Sequence, residues 1–206
     1  MKNQKALIMS WIHKIVENPS IYDLSQKLAG GKISQAILRQ ELSSLPKTGS
    51  ALDVGGGTGL MRSLLPANWE YTCLDSDPRK LSGFQKKFPS EKPIQASATK
   101  IPKPNNTYDL CILSAVSHHL PSSELDCALK EISRVLRPNG QLLFLDALSN
   151  PDNVAGKILW ALDRGSFPRA LNDLRRHLEN GFVITRGKTW KALHEYALLF
   201  CSKKPS

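Results

Sequence analysis

Short apolar runs alternate with segments of helical periodicity through the middle of this 206-residue chain. Gly, Pro, Asn or Asp bound the runs, as is usual for strands. Five strands are predicted on this basis: Ser50–Val54, Glu70–Asp75, Pro93–Ala96, Tyr108–Ser114 and Gln141–Asp146. Near-continuous hydrophobicity in strands that alternate with amphipathic helices is typical of a parallel sheet covered on both faces. The pattern therefore predicts a doubly wound, Rossmann-like α/β fold.

The helices follow from their apolar spacing. The clearest is predicted over Ser122–Leu136, with Ser122 as its N-cap, and a shorter one over Leu60–Leu65. A further helix is predicted from Phe167, with Leu171, Leu174 and Leu178 on its apolar side and Arg169 elsewhere. These segments supply the layers that should cover the sheet.

Both ends of the chain add to this core. Residues 1–20 and Lys32–Leu42 predict two helices ahead of a Ser/Pro/Gly-rich link. We interpret residues 1–48 as an N-terminal helical extension and candidate lid, and residues 49–206 as the ligand-binding domain. Near the C-terminus, strands at Phe182–Arg186 and Thr189–Cys201 predict an antiparallel hairpin. The complete prediction is a mostly parallel, seven-stranded sheet.

The stretch LDVGGGTG, Leu52 to Gly59, predicts the ligand site. Ligands of such sheets bind at the carboxyl ends of the strands, and glycines there let backbone amides approach a ligand closely. The spacing is GxGxG, which is neither the GxGxxG of a dinucleotide fingerprint nor a P-loop. Asp53 stands directly ahead of the glycines. Because a carboxylate repels a pyrophosphate and attracts an ammonium group, the ligand is expected to be cationic at that end.

A second acid follows the next strand. Asp75 lies 20 residues after Gly55, which is the separation at which an acidic residue binds a ribose diol in nucleoside-binding α/β domains. An ammonium group at one end and a ribose at the other describe S-adenosylmethionine.

Four motifs in order resemble the class I S-adenosylmethionine-dependent methyltransferases, particularly the small-molecule branch that includes the quinone-biosynthesis type. They are LDVGGGTG, CLDSDP, YDLCILSAVSHHL and EISRVLRPNGQLLFLD, and they cover about Leu52 to Leu145. The resemblance implies a cofactor site made of Asp53, Gly55, Gly56, Gly57, Asp75, Ser76, Ser97, Ala98 and Ser114.

Within that set the resemblance implies different roles. Gly55 and Gly57 contact the methionine moiety, Asp53 places its amino group, and Asp75 holds the ribose. Ser97 and Ala98 border the adenine, and Ser114 closes the pocket. One departure stands out, since many relatives carry an aspartate after the third strand and this chain has ASAT. Adenine recognition is then expected from backbone groups or from the Ser97 or Thr99 hydroxyl.

His118 and His119 follow the fourth strand, beside the expected position of the methyl group. A neutral histidine can take a proton from a hydroxyl substrate at neutral pH. Either histidine is a candidate base, and the alternative is that both cap or pack under the next helix. No Cys/His cluster has metal-ligand spacing, so no metal is expected.

Candidate acceptor-binding residues come from two regions. Trp160, Arg164 and Phe167 lie after the fifth strand, where methyltransferases of this kind often place substrate-selecting insertions. Trp11 and Tyr22 belong to the N-terminal extension and are candidates for a lid. For each of the five, the alternative is ordinary packing.

The formal net charge of +10 bears on partners, because a basic surface attracts anions. The first hypothesis is methyl transfer to a small or lipid-like acceptor, an anionic one included, at oxygen. An RNA methyltransferase is the second, favoured by the charge but lacking an RNA-binding module or an Asn/Asp-Pro-Pro-aromatic motif. A cofactor-binding domain without turnover is the third. An NAD-dependent oxidoreductase ranks last because of the glycine spacing.

The four cysteines are far apart in the sequence, and three lie in apolar runs. We interpret them as buried thiols of a cytoplasmic protein. No apolar run approaches the ~18 residues of a membrane span, and charged residues interrupt the apolar N-terminal segment, so neither a span nor a signal peptide is expected.

Overall fold

The structure is a computed structural model that describes residues 32–150, 153, 160, 167–192 and 194–204. Its strands are β1 (Gly49–Val54), β2 (Trp69–Asp75), β3 (Ile94–Gln95), β4 (Tyr108–Ser114), β5 (Leu136–Leu148), β6 (Phe182–Lys191) and β7 (Glu195–Lys203). Its α-helices within those residues are α1 (Lys32–Leu42), α2 (Pro78–Lys87), α3 (Ser122–Val135) and α4 (Leu171–Glu179).

All seven strands form one sheet in the order β3-β2-β1-β4-β5-β7-β6. The pairs β2–β3, β1–β2, β1–β4 and β4–β5 are parallel, and β7 runs antiparallel between β5 and β6. The predicted Rossmann-like sheet with a C-terminal antiparallel hairpin is confirmed. From β1, the strands that follow in the chain are added first on one side (β2, β3) and then on the other (β4, β5). The loop after β1 therefore lies at the topological switch point, where such sheets bind ligands.

Helices cover both faces of the sheet, as a doubly wound fold requires. Leu125 and Ile132 of α3 and Leu174 of α4 are buried in one apolar cluster. On the other face, Leu38 of α1 and Phe84 of α2 belong to a second cluster. Asp77 begins α2 as its N-cap and accepts a hydrogen bond from the Arg79 amide.

The helix α1 is tied to the C-terminal hairpin as well as to the core. Arg186 of β6 forms an ion pair with Glu41, and the Trp190 indole donates to the Ser34 hydroxyl. The described part of the predicted N-terminal extension therefore packs on the sheet. The division into residues 1–48 and 49–206 stays a prediction, and the predicted first helix, with Trp11 and Tyr22, lies outside the described residues.

The turn of the C-terminal hairpin lies further along the chain than predicted. Thr189 lies on β6, where it pairs with Ala197, and the turn falls after Lys191, where the Ala192 amide donates to the His194 carbonyl. The polar run Arg186–Thr189 resembles a turn because β6 is the edge strand of the sheet and exposes these residues.

Two helix starts also differ from the prediction. Pro121 is the N-cap of α3, and the Ser122 hydroxyl instead accepts from Arg169. The next helix begins at Leu171 and not at Phe167, because Ala170 is extended (φ −73°, ψ 159°). Arg169 is consequently buried against the turn at Ser117–His119 and does not lie on an exposed helix face.

Other boundaries are shorter than predicted. The helix expected over Leu60–Leu65 is a 3-10 turn at Met61–Ser63, and the third strand is confined to Ile94–Gln95. Cys73, Cys111 and Cys201 are buried free thiols as predicted, but Cys127 lies on the exposed side of α3. Within the described residues, no helix is long and apolar enough to cross a membrane.

Candidate active site

The glycine loop after β1 has the backbone that only glycine adopts easily. Gly55 and Gly57 have φ of +74° and +55°. A Cβ added at Gly55 would collide with Cγ2 of Val116, so this position has no space for a side chain. A Cβ at Gly57 would meet nothing nearer than Lys80 Cδ at 3.9 Å. Val116 therefore fills the space beside Gly55, whereas the space beside Gly57 is open.

Asp75 anchors this loop from the end of β2. Its Oδ2 accepts a hydrogen bond from the Gly57 amide at 3.0 Å, and its Oδ1 accepts from the Asp77 amide at 2.9 Å. Lys80 Nζ stands 4.0 Å from Oδ2. Each carboxylate oxygen can accept two hydrogen bonds, so the group can hold the loop and still accept from vicinal hydroxyls. Ser76, next to it, is exposed.

Asp53 lies beneath the loop and is 1% exposed. The Tyr71 hydroxyl donates to its Oδ2. A Cβ at Gly56 would stand 2.9 Å from this same Oδ2 and 2.8 Å from Cys73 Sγ. Gly56 therefore packs directly against the Asp53 carboxyl, and this position has no space for a side chain. Burial raises the Asp53 pKa to about 7, the Tyr71 hydrogen bond opposes that shift, and the Asp75 charge adds to it. The sequence did not predict this shift or the Tyr71 partner.

Replacing Asp53 with asparagine is expected to remove a pH dependence of folding stability. The folded protein keeps the Asp53 proton up to about pH 7, whereas an unfolded carboxyl loses it near pH ~3.9. This contribution to stability is complete below the unfolded pKa and is lost as the pH rises through the folded pKa. Urea unfolding should show the wild type losing about 1 kcal/mol per pH unit between about pH 5 and pH 7, and Asp53→Asn should lack that slope.

Asp109 supplies the control for that measurement. Burial acts to raise its pKa, but hydrogen bonds from Arg137 and Ser50 outweigh burial and hold the pKa below its usual value. The difference between the wild type and Asp109→Asn should therefore stay constant over the same pH range. Parallel curves for the wild type and Asp53→Asn would show that Asp53 is ionised throughout.

The predicted adenine side of the pocket lies after β3. The Ala96 amide donates to the Asp75 carbonyl at 3.1 Å, which places Ser97 and Ala98 beside the second acid. The Ser97 hydroxyl is 2.8 Å from the Thr99 hydroxyl and also accepts from the Thr99 amide at 3.2 Å. Both hydroxyls predicted as alternatives for adenine are thus bonded to each other.

A left-handed residue turns the chain after β4. Ser114 ends the strand, and Ala115 has a φ of +55°, with its amide donating to the Leu145 carbonyl at 2.8 Å. An L-residue in this conformation costs about 1–2 kcal/mol, and such strain is concentrated at functional sites. The turn carries Val116 under Gly55 and leads directly into Ser117–His119.

The two adjacent histidines differ in burial and in their hydrogen-bond partners. His118 is 6% exposed, and its Nδ1 lies 2.6 Å from Oδ1 of Asp146 on β5. The Ser117 hydroxyl donates to the other Asp146 oxygen at 2.5 Å, and the His118 amide donates to that oxygen at 3.3 Å. His119 is exposed, with its ring centroid 4.1 Å from that of His118. His118 is therefore the histidine whose ring is paired with the Asp146 carboxylate.

Asp146 is held ionised by its neighbours. Burial acts to raise its pKa, but the His118 charge and the hydrogen bonds from His118, Ser117 and the Ala147 amide outweigh burial and lower it. Sequence analysis placed Asp146 at the end of a strand and assigned it no role. The signal was available, because an acid at the carboxyl end of β5 faces the residues that follow the neighbouring β4.

Two of the predicted acceptor residues lie against His118. The Trp160 ring approaches the His118 ring edge-on with centroids 5.3 Å apart, and its other neighbour is His194 at 4.8 Å. Phe167 is 40% exposed, and its amide donates to the His118 carbonyl at 3.0 Å. Arg164 lies outside the described residues. No group of three metal-ligating side chains occurs in the part of the chain that the structure describes.

The fold and this site define a Rossmann-like domain with a glycine cradle, two acids at the ends of adjacent strands, and a histidine–aspartate pair opposite them. A family described as a methyltransferase domain matches residues 52–144, which span β1 to β5 and include every one of these groups except Asp146. This match over less than half of the chain agrees with the predicted resemblance to the class I S-adenosylmethionine-dependent methyltransferases.

Individual relatives agree with that assignment. Phthiotriol/phenolphthiotriol dimycocerosates methyltransferase of Mycobacterium leprae is 34% identical over 53% of this chain and 38% of its own length. Demethylmenaquinone methyltransferase of Bacillus licheniformis is 30% identical over 59% of this chain and 54% of its own length. The chain thus spans only about two fifths to one half of these relatives.

A solved S-adenosylmethionine-dependent methyltransferase from Leishmania major superposes with a TM-score of 0.74 at 19% identity, covering 93% of this chain and 83% of that one. At this identity the likeness bears on the fold alone.

Proposed function

We propose that this protein transfers a methyl group from S-adenosylmethionine to a hydroxyl of a small or lipid-like acceptor, with His118 as the general base. The observation that carries this proposal is the 2.6 Å pair between His118 and Asp146, built at the end of β4 next to the glycine loop. An exposed surface histidine would need no buried carboxylate partner.

The residues present fit the methyl donor. Asp75 offers carboxylate lone pairs for ribose hydroxyls, and the space above Gly57 admits a ligand close to the backbone. The buried Asp53 carboxyl lies next to Gly56 of this loop, where a bound cation would favour its ionised form. We assign Ser97, Ala98 and Ser114 to the walls of the same pocket, as the resemblance implies. When bound, S-adenosylmethionine supplies an electrophilic methyl group on a sulfonium.

The side chains then divide the remaining work. Ionised Asp146 accepts a hydrogen bond from Nδ1 of His118, which fixes the tautomer and leaves Nε2 as the proton-accepting nitrogen. Nε2 takes the proton of the acceptor hydroxyl, and Asp146 stabilises the imidazolium that forms, as an aspartate does beside a catalytic histidine in other enzymes. The Trp160 ring, which lies edge-on to the His118 ring, helps to exclude water from the nucleophile, and the Phe167 amide holds the His118 carbonyl.

The two named relatives support a small or lipid-like acceptor. Their names specify phthiotriol/phenolphthiotriol dimycocerosates and demethylmenaquinone, and the second also supports a place in the quinone-biosynthesis branch. Residues 49–206 would form the donor-binding domain, and the extension before them would help to enclose the acceptor.

Calorimetry and an acceptor panel test the proposal. Titration with S-adenosylmethionine, its demethylated product and NAD should give binding of the first two and none of NAD. Labelled donor should then be offered to phenols, quinols, lipid alcohols, thiols and a pool of RNA. Label on a hydroxyl compound supports the proposal, and label on RNA supports the second hypothesis. Donor binding without label on any class would favour a binding domain.

A further inference from the structure

Arg169 is a buried arginine that contacts the turn carrying the candidate base. It is 8% exposed, and its guanidinium nitrogens donate to the Ser117 carbonyl at 2.6 Å and to the Leu120 carbonyl at 2.7 Å. These two carbonyls stand immediately before and after the His118–His119 pair. Longer bonds reach the Phe167 carbonyl at 3.2 Å and the Ser122 hydroxyl at 3.3 Å.

The planar guanidinium binds two different main-chain carbonyls at once through two of its nitrogens. Its four acceptors are three main-chain carbonyls and one hydroxyl, all neutral, and burial lowers the Arg169 pKa while the more distant charges of Asp146, Asp126 and Asp173 raise it. Taking a cation out of water is unfavourable unless it is well bonded. A lysine offers a point charge and cannot span two carbonyls with fixed planar geometry. The position therefore selects for the shape of arginine.

The same segment holds His118 directly. The Phe167 amide donates to the His118 carbonyl, and the Arg169 carbonyl accepts from the Ser149 amide at 2.8 Å, just beyond the end of β5. Asp146 binds the amide and the ring of His118. Phe167 and Arg169 thus hold the turn that carries His118, and Asp146 of β5 holds the histidine itself.

We propose that Arg169 is a positioning residue for His118: by binding the carbonyls on both sides of the histidine pair, its guanidinium fixes the imidazole against Asp146 in one orientation. The use of that orientation in proton transfer rests on the proposed function. The orientation itself does not, so it can be tested separately.

The charged and titratable groups around the ring make a second effect measurable. Asp146 faces the ring from β5, His119 stands beside it in the turn, and His194 lies beyond Trp160. The Arg169 cation, which binds the carbonyl just before His118, interacts with the Asp146 charge. Removal of the Arg169 cation leaves the Asp146 charge less compensated. His118 should then hold its proton more tightly.

NMR of protein labelled at the histidine ring carbons tests this in the full chain. The His118 signal is identified by its loss in His118→Asn. In Arg169→Met the His118 midpoint should rise by about half a pH unit or more, and in Arg169→Lys, which keeps the charge, it should stay near the wild-type value. In both variants the His118 chemical shift should move, because the two carbonyl bonds are weakened.

Arg134 supplies a matched control at the other end of α3. Its guanidinium also binds two main-chain carbonyls, those of Lys103 and Ile101, each at 2.8 Å. Arg134→Met should lower the melting temperature and leave the His118 signal and midpoint unchanged. Thermal melts of all variants separate the loss of stability from the change at His118.

Kinetics supply the second readout. Once an acceptor is known, kcat should fall about tenfold in Arg169→Lys and about a hundredfold in Arg169→Met, with KM for the donor within about threefold. A His118 signal and midpoint equal to those of the wild type in Arg169→Lys, or in Arg169→Met if that variant folds, would overturn the proposal. If the wild type transfers no methyl group, the proposed function fails, and the NMR comparison still decides the role of Arg169.

Discussion

His118→Asn is expected to lower kcat by about 100- to 10,000-fold, the range that a positioned general base contributes. Asparagine can still donate a hydrogen bond to Asp146 from the amide nitrogen, so the buried carboxylate keeps a partner and the fold is retained. Asparagine cannot accept a proton from the acceptor at neutral pH. Steady-state kinetics with the acceptor found in the panel, together with donor binding by calorimetry, provide the measurement.

His119→Asn is the matched control, because His119 is adjacent, exposed and of the same residue type. It should keep kcat within about threefold of the wild type, because the Asp146 carboxylate orients the His118 ring and not that of His119. Donor affinity should be unchanged in both variants. Equal losses in the two variants, or full activity in His118→Asn, would exclude His118 as the base.

Asp75→Ala is expected to weaken donor binding by about 100- to 10,000-fold. Hydrogen bonds to a charged group contribute about 1.5–3 kcal/mol each, and alanine removes those to the ribose hydroxyls. The variant also frees the amides of Gly57 and Asp77, so the loop loses its anchor as well. Calorimetric titration with S-adenosylmethionine measures the combined effect.

Asp77→Ala distinguishes that loss from a general effect on α2. Asp77 is the N-cap of the helix and bonds Arg79, so its loss should cost about 1 kcal/mol of stability. Donor affinity should stay within about threefold, because the Asp75 carboxylate remains in place. An unchanged affinity in Asp75→Ala would refute the ribose assignment.

The candidates for the donor half of the site came from local signals. Glycines and an acid lie together in the LDVGGGTG stretch, and Asp75 recurs at a known separation on the next strand. The Tyr71 hydrogen bond to Asp53 was not predictable, since tyrosine on an apolar strand reads as core. Burial depth, which sets the Asp53 pKa, depends on Gly56 and Cys73 packing above it.

The contacts of the candidate base His118 could not be predicted from the sequence and became visible only in the folded structure. Asp146 is 28 residues from His118, and Arg169 is 52 residues from Ser117, so neither contact leaves a pattern within a sequence window. The choice between His118 and His119 depends on how the chain turns at Ala115 and on which ring the β5 carboxylate then meets. Arg169 was misplaced for a related reason, because leucine periodicity extended the helix back over a segment that is not helical.

The contact between Val116 and Gly55 joins the two halves of this site. Because Val116 occupies the space that a Cβ at Gly55 would need, the size of this side chain bears on how closely the histidine turn approaches the loop after β1. Exchanging Val116 for alanine or isoleucine would move these two walls relative to each other without altering any polar group. If the proposed methyl transfer holds, a panel of acceptors of different width should therefore show a changed preference in Val116→Ala and Val116→Ile.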